Sequence, residues 1–420
     1  MPANACRIIE YLVIHGQGGH MGNVISPDRG SLPGNADVVV IGAGIVGAAS
    51  AFFASRAGLK TIVVERREQP GMLATAVSSE CVREQWSQPH NIEMMHESLT
   101  MLERFADLVG LPGYDISLHQ QGYLFLTAQA EQARRFERIV ERQHHLGLVQ
   151  VELLDAAEVR RRFPFVSPRV AVGRFNQRDG WLAVHEMLWG FIKGGQADVY
   201  TETTVTAIER DDRGVEAVVT NRGTIKTRRV VIAAGPFAAR VAALAGVHVP
   251  LMNVRRQEVR LSRHGVCPPD APMVVDDDTG VYWRPDGPAA LLGGGEKDDQ
   301  PSEPLEYVPT DWDFPAAVLD NAARLCPFWA SVAEDLKADE VFINAGQYSF
   351  VADRCPIIGP TPVPGLYINA AYDGHGIMGA PAGSRLLVDL ITGRVATEDN
   401  PFALDRLASG HHLDIEEEVI

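Results

Sequence analysis

The sequence predicts an α/β fold in which a doubly wound nucleotide domain is interrupted by β-rich insertions, and three observations predict it. The first is the β-branched run Val38-Val39-Val40-Ile41 closing on Gly42-Ala43-Gly44-Ile45-Val46-Gly47, then an apolar helical stretch and a second strand, Thr61 to Val64, that ends in Glu65. The second is a later buried run, Val230-Val231-Ile232-Ala233-Ala234, that also closes on a glycine, Gly235. The third is a terminal strand, Leu366 to Ala371, leading through Asp373-Gly374-His375-Gly376 into a helix expected from about Ile377 to Thr392. Apolar strands ending on glycine and alternating with helices are the pattern of a nucleotide-binding α/β sheet.

Each part of the first motif has a chemical task. Gly42 permits the tight turn, Gly44 lets backbone approach a pyrophosphate, and Gly47 lets the helix pack closely on the strand. The N–H groups at the helix start then face the phosphates, and Glu65 accepts hydrogen bonds from a ribose 2′-hydroxyl. By itself the motif does not separate FAD from NAD, and a buried βαβ unit whose glycines merely pack is the alternative.

Composition narrows the partners. The chain has 420 residues, 46% hydrophobic and 22% charged, enough for a sizeable core and about two or three domain-sized units. Its formal net charge of -16 argues against nucleic acid and anionic membrane surfaces, which reward clustered Lys and Arg, and for a small-molecule substrate. The cysteines, Cys6, Cys81, Cys267, Cys326 and Cys355, form no CxxC pair, so a reducing compartment and no metal site are expected. No apolar run approaches the ~18 residues of a membrane span. Ile8 to Ile14 is short and interrupted by Glu10, unlike a signal segment, so the expected location is cytoplasmic.

The elements follow in order. After Glu65 comes a polar loop, Gln69 to Gln88, carrying Thr75, Ser78, Ser79 and Arg83. Met94, Met95, Ser98, Leu99, Leu102, Phe105 and Leu108 recur at helical spacing and predict one amphipathic helix ending near Gly110. Tyr123 to Leu126 reads as a strand, Gln129 to Leu146 as a surface helix stopped at Gly147, and Asp155 with Glu158 as a capping box before a short helix that Pro164 ends. Thr203 to Ile208 and Val215 to Thr220 predict strands joined by Asp211-Asp212-Arg213-Gly214. β patterns return from Arg256 to Gly295, and Trp312 to Val332 is predicted helical with a break at Pro327. The expected division is an N-terminal extension with little order, 1–35; a nucleotide domain in three parts, 36–115, 171–250 and 341–400; a substrate domain in two, 116–170 and 251–340; and a C-terminal tail, 401–420.

The fingerprint, the strand before Gly235, the segment Asp353-Arg354-Cys355-Pro356-Ile357-Ile358-Gly359 and the Gly374-His375-Gly376 helix start occur in one order. Together they resemble the FAD-dependent D-amino-acid oxidase family, which includes sarcosine and glycine oxidases and amine dehydrogenases, over about residues 36 to 400. Cys81-Val82-Arg83-Glu84-Gln85-Trp86 and Gln121-Gly122-Tyr123-Leu124-Phe125-Leu126 look most like the catalytic subunits of dye-linked L-proline dehydrogenases and their sarcosine oxidase relatives. The resemblance implies FAD rather than NAD, and a Rossmann-type FAD-binding domain interrupted by a β-rich substrate domain whose sheet roofs the flavin. The expected FAD contacts are Gly42, Ala43, Gly44, Ile45, Val46, Gly47, Glu65, Arg66, Thr75, Ser78, Ser79, Val205, Gly235, Gly374, His375, Gly376, Ile377 and Met378. Where relatives attach flavin covalently through a cysteine or a histidine, this chain has Gly346 and Leu73, which implies noncovalent FAD.

Oxidising an amine alpha to a carboxylate needs a neutral nitrogen, a C–H bond aimed at flavin N5 and a cation for the carboxylate. By the same resemblance Arg83 is the first candidate for that cation, since a guanidinium can hold both oxygens. Tyr348 matches a pocket tyrosine, and Tyr282 and Trp283 are candidates for the aromatic wall. Arg255 and Arg256 offer a second cation, of which alternation lets one face the pocket. His375 is assigned to a backbone turn: amides of Gly376, Ile377 and Met378 lie beside the flavin pyrimidine ring in the family, and no orienting partner for a catalytic histidine is visible. Relatives carry a carboxylate-binding lysine where Met378 stands and an oxygen-activating lysine within the strand that is Val281 to Gly293 here, which has none. Glu80 replaces a second arginine, implying a less cationic pocket suited to a substrate with an extra positive group.

The expected activity is oxidation of the C–N bond of an amino or imino acid, or an N-alkyl amino acid, to an imine that water hydrolyses. The acceptor is dioxygen or an electron-transfer partner, in a homo- or hetero-oligomer. The alternatives are a noncatalytic flavoprotein subunit and a catalytic subunit active only in a hetero-oligomeric dehydrogenase.

Overall fold

Seven strands form the sheet that carries the glycine turn, in the order Val24–Ile25, Asp198–Tyr200, Thr61–Val64, Val38–Ile41, Val230–Ile232, Leu366–Ala370 and Ile357–Pro360. This computed structural model describes residues 21–263, 265–295, 300–409 and 413–416. Adjacent strands are parallel except for the last pair. Both faces are covered, which is why the strands read as continuous apolar runs. Val38, Val40, Val63 and Val231 face one layer, containing the helices Ile45–Arg56, Pro89–Leu102, Val184–Gly194 and Gly376–Thr392. Val39, Ile41, Ile62, Val64, Val230 and Ile232 face the other, closed by the three-stranded sheet Val205–Asp211, Gly214–Thr220 and Gly223–Lys226.

The second large sheet has nine strands. Its path runs Pro301–Ser302, Met252–Leu261, Ala289–Gly294, Val281–Asp286, Met273–Asp276, Tyr123–Thr127, Val172–Asn176 and Glu152–Asp155, with Val341–Phe350 also paired to Met252–Leu261. The helices Phe314–Leu325 and Phe328–Asp335 cover one face, where Trp283 packs against Phe165, Phe328 and Trp329. Tyr123, Phe125, Val275, Tyr282 and Leu291 point the other way.

Several predicted boundaries move. Val172–Asn176 and Val341–Phe350, expected in the nucleotide domain, belong to the nine-stranded sheet. Their partners are distant in sequence, so their membership emerges only from pairing, as in the ten-residue register from Met252↔Phe350 to Leu261↔Val341. Within 1–35, Val24–Ile25 adds an edge strand beside Asp198–Tyr200, while residues 1–20, including Cys6, lie outside the described part. The single helix expected up to Gly110 is two, Pro89–Leu102 and Phe105–Val109, the second ending on Gly110 at φ 70. Asp155 caps its helix by accepting from the amides of Ala157 and Glu158, but Glu158 turns to Arg161, so only half of the capping box forms.

Candidate active site

A cavity of about 420 Å³ lies between the two large sheets. Ile41, Val64, Ala233 and Ala370 bring the carboxyl ends of four parallel strands to it, the crevice where open α/β sheets bind ligands. Among its other lining residues are Gly42, Gly44, Ile45, Val46, Glu65, Arg66, Thr75, Ser78, Ser79, Val205, Gly235, Gly374, Gly376 and Ile377, which the sequence assigned to the cofactor.

The turn is built for close approach. Gly42 sits at φ 104, and a Cβ there would lie 2.6 Å from the Ala233 carbonyl oxygen. A Cβ on Gly47 would stand 1.9 Å from the Gly42 carbonyl oxygen, so this glycine seats the helix on the turn and does not itself line the cavity. Ala43 does not line it either; its amide donates to Glu65 Oε2 at 2.8 Å, while Arg67 N donates to Oε1 at 2.8 Å. Held so, the carboxylate still has lone pairs for ribose hydroxyls. Thr75 Oγ1 accepts from Ile45 N at 3.1 Å, pinning the loop to the first turn of the helix. Gly235, at φ 50, has nothing within 4 Å of where a Cβ would be.

At the other strand ends, Gly374 lies at φ 81, and a Cβ there would be 2.3 Å from the ring of Tyr348. His375 precedes the helix Gly376–Thr392 with its ring turned into the core, 4.7 Å from that of Trp86. Burial first, and then the Arg83 charge, push its pKa down to about 3, so the imidazole is neutral at physiological pH. Neither His375 nor Met378 lines the cavity. Gly376 and Ile377 do, and they present the positive end of the helix to it.

Arg83 is not brought to the cavity. Asp179 accepts from the Glu84 amide at 2.8 Å and from Gln85 Nε2 at 2.9 Å, which fixes the 83–86 loop. In that loop Arg83 stacks 3.7 Å over Trp86, lies 5.6 Å from Phe125, and donates to the Gln85 carbonyl. Arg256 is the cation of the nine-stranded sheet that lines the cavity, 5.7 Å from the Tyr348 ring, while Arg255 donates outward to the Pro309 carbonyl at 3.2 Å. Tyr348 and Tyr282 both line the cavity, and Trp283 faces the helices instead. Burial pushes the Tyr348 phenol up to about 12 and Tyr282 well above its ordinary value, so both are neutral hydroxyls at pH 7.

Gly346 and Leu73 line the cavity, and a Cβ on Gly346 would lie 2.6 Å from Val77 Cγ2. Glu80 does not line it: its Oε2 is 3.0 Å from Arg284 Nη2 and 3.6 Å from Arg260 Nη2, which consumes the charge expected to face the substrate. Glu258 is a further lining carboxylate, outside the residues expected at the site. Its only signal was the period-two placing of Arg256, Glu258 and Arg260 on one strand.

A glycine turn, an inward-facing acid and a helix amino end in one crevice, roofed by a second sheet that carries phenols and a cation, are the build of a dinucleotide-binding protein of two sheets. The bare Gly42 and Gly235 positions and the inward Glu65 fit FAD. The family model "FAD dependent oxidoreductase", abbreviated DAO, matches residues 37–390, and the chain belongs to that family. FAD-dependent oxidoreductase domain-containing protein 1 of Xenopus laevis is 26% identical over 404 residues, 86% of this chain and 79% of that protein. Sarcosine oxidase subunit beta of Rhodobacter capsulatus is 22% identical over 388 residues, covering 90% of each. The crystal structure of L-proline dehydrogenase from P. horikoshii superposes with a TM-score of 0.79 at 25% identity, over 90% of this chain and 99% of that one.

Proposed function

We propose that the protein oxidises the C–N bond of an amino or imino acid, or of an N-alkyl amino acid, to an imine that water hydrolyses. Gly42, Gly44, Glu65 and Gly235 would hold FAD, which would supply the two-electron acceptor for the hydride of the carbon next to nitrogen, the nitrogen's proton passing to water. The observation that carries the reading is the meeting of Glu65 and the glycine turn with Arg256, Tyr348 and Tyr282 in one cavity. Arg256 replaces Arg83 as the group that holds the carboxylate, because Arg256 reaches the cavity and Arg83 does not. Tyr348 donates its hydroxyl beside it, and the helix end at Gly376 and Ile377 favours negative charge placed against it. The names sarcosine oxidase subunit beta and L-proline dehydrogenase support an amine-type donor. FAD is held noncovalently, since Gly346 and Leu73 offer no nucleophile. Electrons pass to dioxygen or to a partner protein, and the compartment is the cytoplasm.

Anaerobic titration with sarcosine, proline, glycine and basic D-amino acids tests the activity. At least one is expected to bleach the flavin band, and unchanged absorbance with every compound would leave a noncatalytic flavoprotein. Acid precipitation is expected to release about one FAD per chain. With the substrate in hand, Arg256→Met is expected to raise KM by roughly tenfold or more at unchanged flavin content, the effect of losing a charge-assisted bidentate contact. Equal KM values would remove Arg256 from the site.

A further inference from the structure

Arg260, Glu258, Arg284 and Asp286 of the nine-stranded sheet form a charge cluster with Glu80 of the loop before Cys81. Arg284 Nη2 and Nη1 lie 3.0 Å from Glu80 Oε2 and 3.0 Å from Asp286 Oδ1, and Arg260 Nη1 lies 2.9 Å from Asp286 Oδ2. Arg260 also reaches Glu80 Oε2 at 3.6 Å and Glu258 Oε1 at 3.3 Å. Among the described residues, these three carboxylates share the guanidiniums of Arg260 and Arg284.

Of the three, only Glu258 lines the cavity, and its residue is 3% exposed. Its hydrogen bonds, from Arg260 Nε and Asn344 Nδ2, both go to Oε1, and Oε2 takes none among the described residues. Glu258 stands opposite Gly293, and Gly293 opposite Tyr282, in one cross-strand row. A Cβ on Gly293 would lie 2.5 Å from the Tyr282 hydroxyl oxygen, so the bare glycine is what lets that phenol lean along the row. Two residues earlier on the strand, and so on the same side of the pleat, Arg256 lines the same cavity.

We infer that Glu258 is a specificity-determining residue that receives a positively charged nitrogen of the ligand through Oε2, so that with Arg256 the site selects molecules carrying both a carboxylate and a cationic nitrogen. A cation arriving there supplies the partner that Oε2 lacks among the described residues. A carboxylate ligand of equal shape without the cationic nitrogen shields Oε2 from water and gives it no partner, which is costly. The inference rests on the amino-acid reading for the placing of the ligand, but it concerns recognition rather than electron transfer.

The test compares two ligands of one shape on the FAD-loaded protein: trimethylammonioacetate and 3,3-dimethylbutyrate, in which an uncharged carbon replaces the cationic nitrogen. Neither has an amine N–H to oxidise, and binding is read as perturbation of the flavin absorbance. The wild-type protein is expected to bind the cationic ligand at least tenfold more tightly, and Glu258→Gln to bring the two within about twofold while the flavin content stays constant. Wild-type affinities within twofold of each other, or a tenfold preference that survives in Glu258→Gln, would overturn the assignment. If Glu258→Gln does not retain flavin, Glu258→Met gives the same comparison, and if neither does, the wild-type ratio decides. A substrate panel that never bleaches the flavin, alongside an intact preference, would defeat the amine-oxidation reading and leave Glu258 standing.

Discussion

At the scale of single residues, His375 and Arg83 show how far a motif can stand from the chemistry it suggests. His375 occupies a glycine-flanked helix start beside the cavity, yet its ring is buried against Trp86 and Arg83, where a positive charge is disfavoured. Its depressed pKa carries a stability consequence with a definite sign. Below the ordinary histidine value of about 6.5 the unfolded chain takes up a proton that the folded chain refuses down to about 3, so folding weakens as pH falls through that window. The slope from this group is at most about 1.4 kcal/mol per pH unit. Thermal unfolding from pH 6.5 to 4 is expected to show a flatter pH dependence in His375→Asn than in the wild type. Parallel curves would place the histidine in contact with water. Arg83→Ala is expected to lower stability through the lost stacking on Trp86, and to leave KM for a carboxylate substrate within about twofold. A large rise in KM would return Arg83 to the site.

At the scale of elements, the site depends on where two strands lack side chains. In the strand Ala289–Gly294, Gly293 makes room for the Tyr282 hydroxyl; in the strand Val341–Phe350, Gly346 makes room for Val77. Gly293→Ala is expected to displace the Tyr282 ring and raise KM by roughly three- to tenfold, because the added methyl falls where the hydroxyl now sits. Flavin content should not change, since the glycine turn at Gly42 is on the other sheet. Loss of flavin together with affinity would mean that Gly293 supports the cofactor instead. The strand Val281–Asp286 also divides its aromatics, with Tyr282 toward the cavity and Trp283 toward the helices. The period-two pleat alone dictates that one of the pair must turn away.

At the scale of the whole molecule, segments remote in sequence complete one another. The carboxylate of Glu416, 1% exposed, accepts from Ser87 N at 3.0 Å, Gln88 N at 3.1 Å and Asn91 Nδ2 at 2.9 Å. The expected C-terminal tail thus supplies the negative charge at the amino end of the helix Pro89–Leu102. Nearby, buried Arg406 holds Asp353 by two hydrogen bonds, at 2.8 and 3.0 Å. Glu416→Ala is expected to destabilise the protein by about 1.5–3 kcal/mol, the usual worth of hydrogen bonds to a buried charged group. Denaturant unfolding of the holoprotein measures it, and a loss below about 0.5 kcal/mol would show that the tail merely rests on the helix.

The sequence by itself determined the four central strands of the nucleotide sheet and one end of the cavity. Val38–Ile41 and Thr61–Val64 are apolar runs closed by Gly42 and Glu65, and Gly42, Gly47 and Glu65 act within one short βαβ unit, so local spacing suffices there, whereas Val24–Ile25, Asp198–Tyr200 and Ile357–Pro360 carry no such mark. The tertiary structure alone decided the other end. Whether Arg83, Arg256, Glu80 or Glu258 reaches the cavity depends on the antiparallel register of strands far apart in the chain and on Asp179 fixing the 83–86 loop. A cation or an acid in a β pattern has the same sequence signal whether it faces a ligand or a counter-charge, and only the partner across the sheet distinguishes the two.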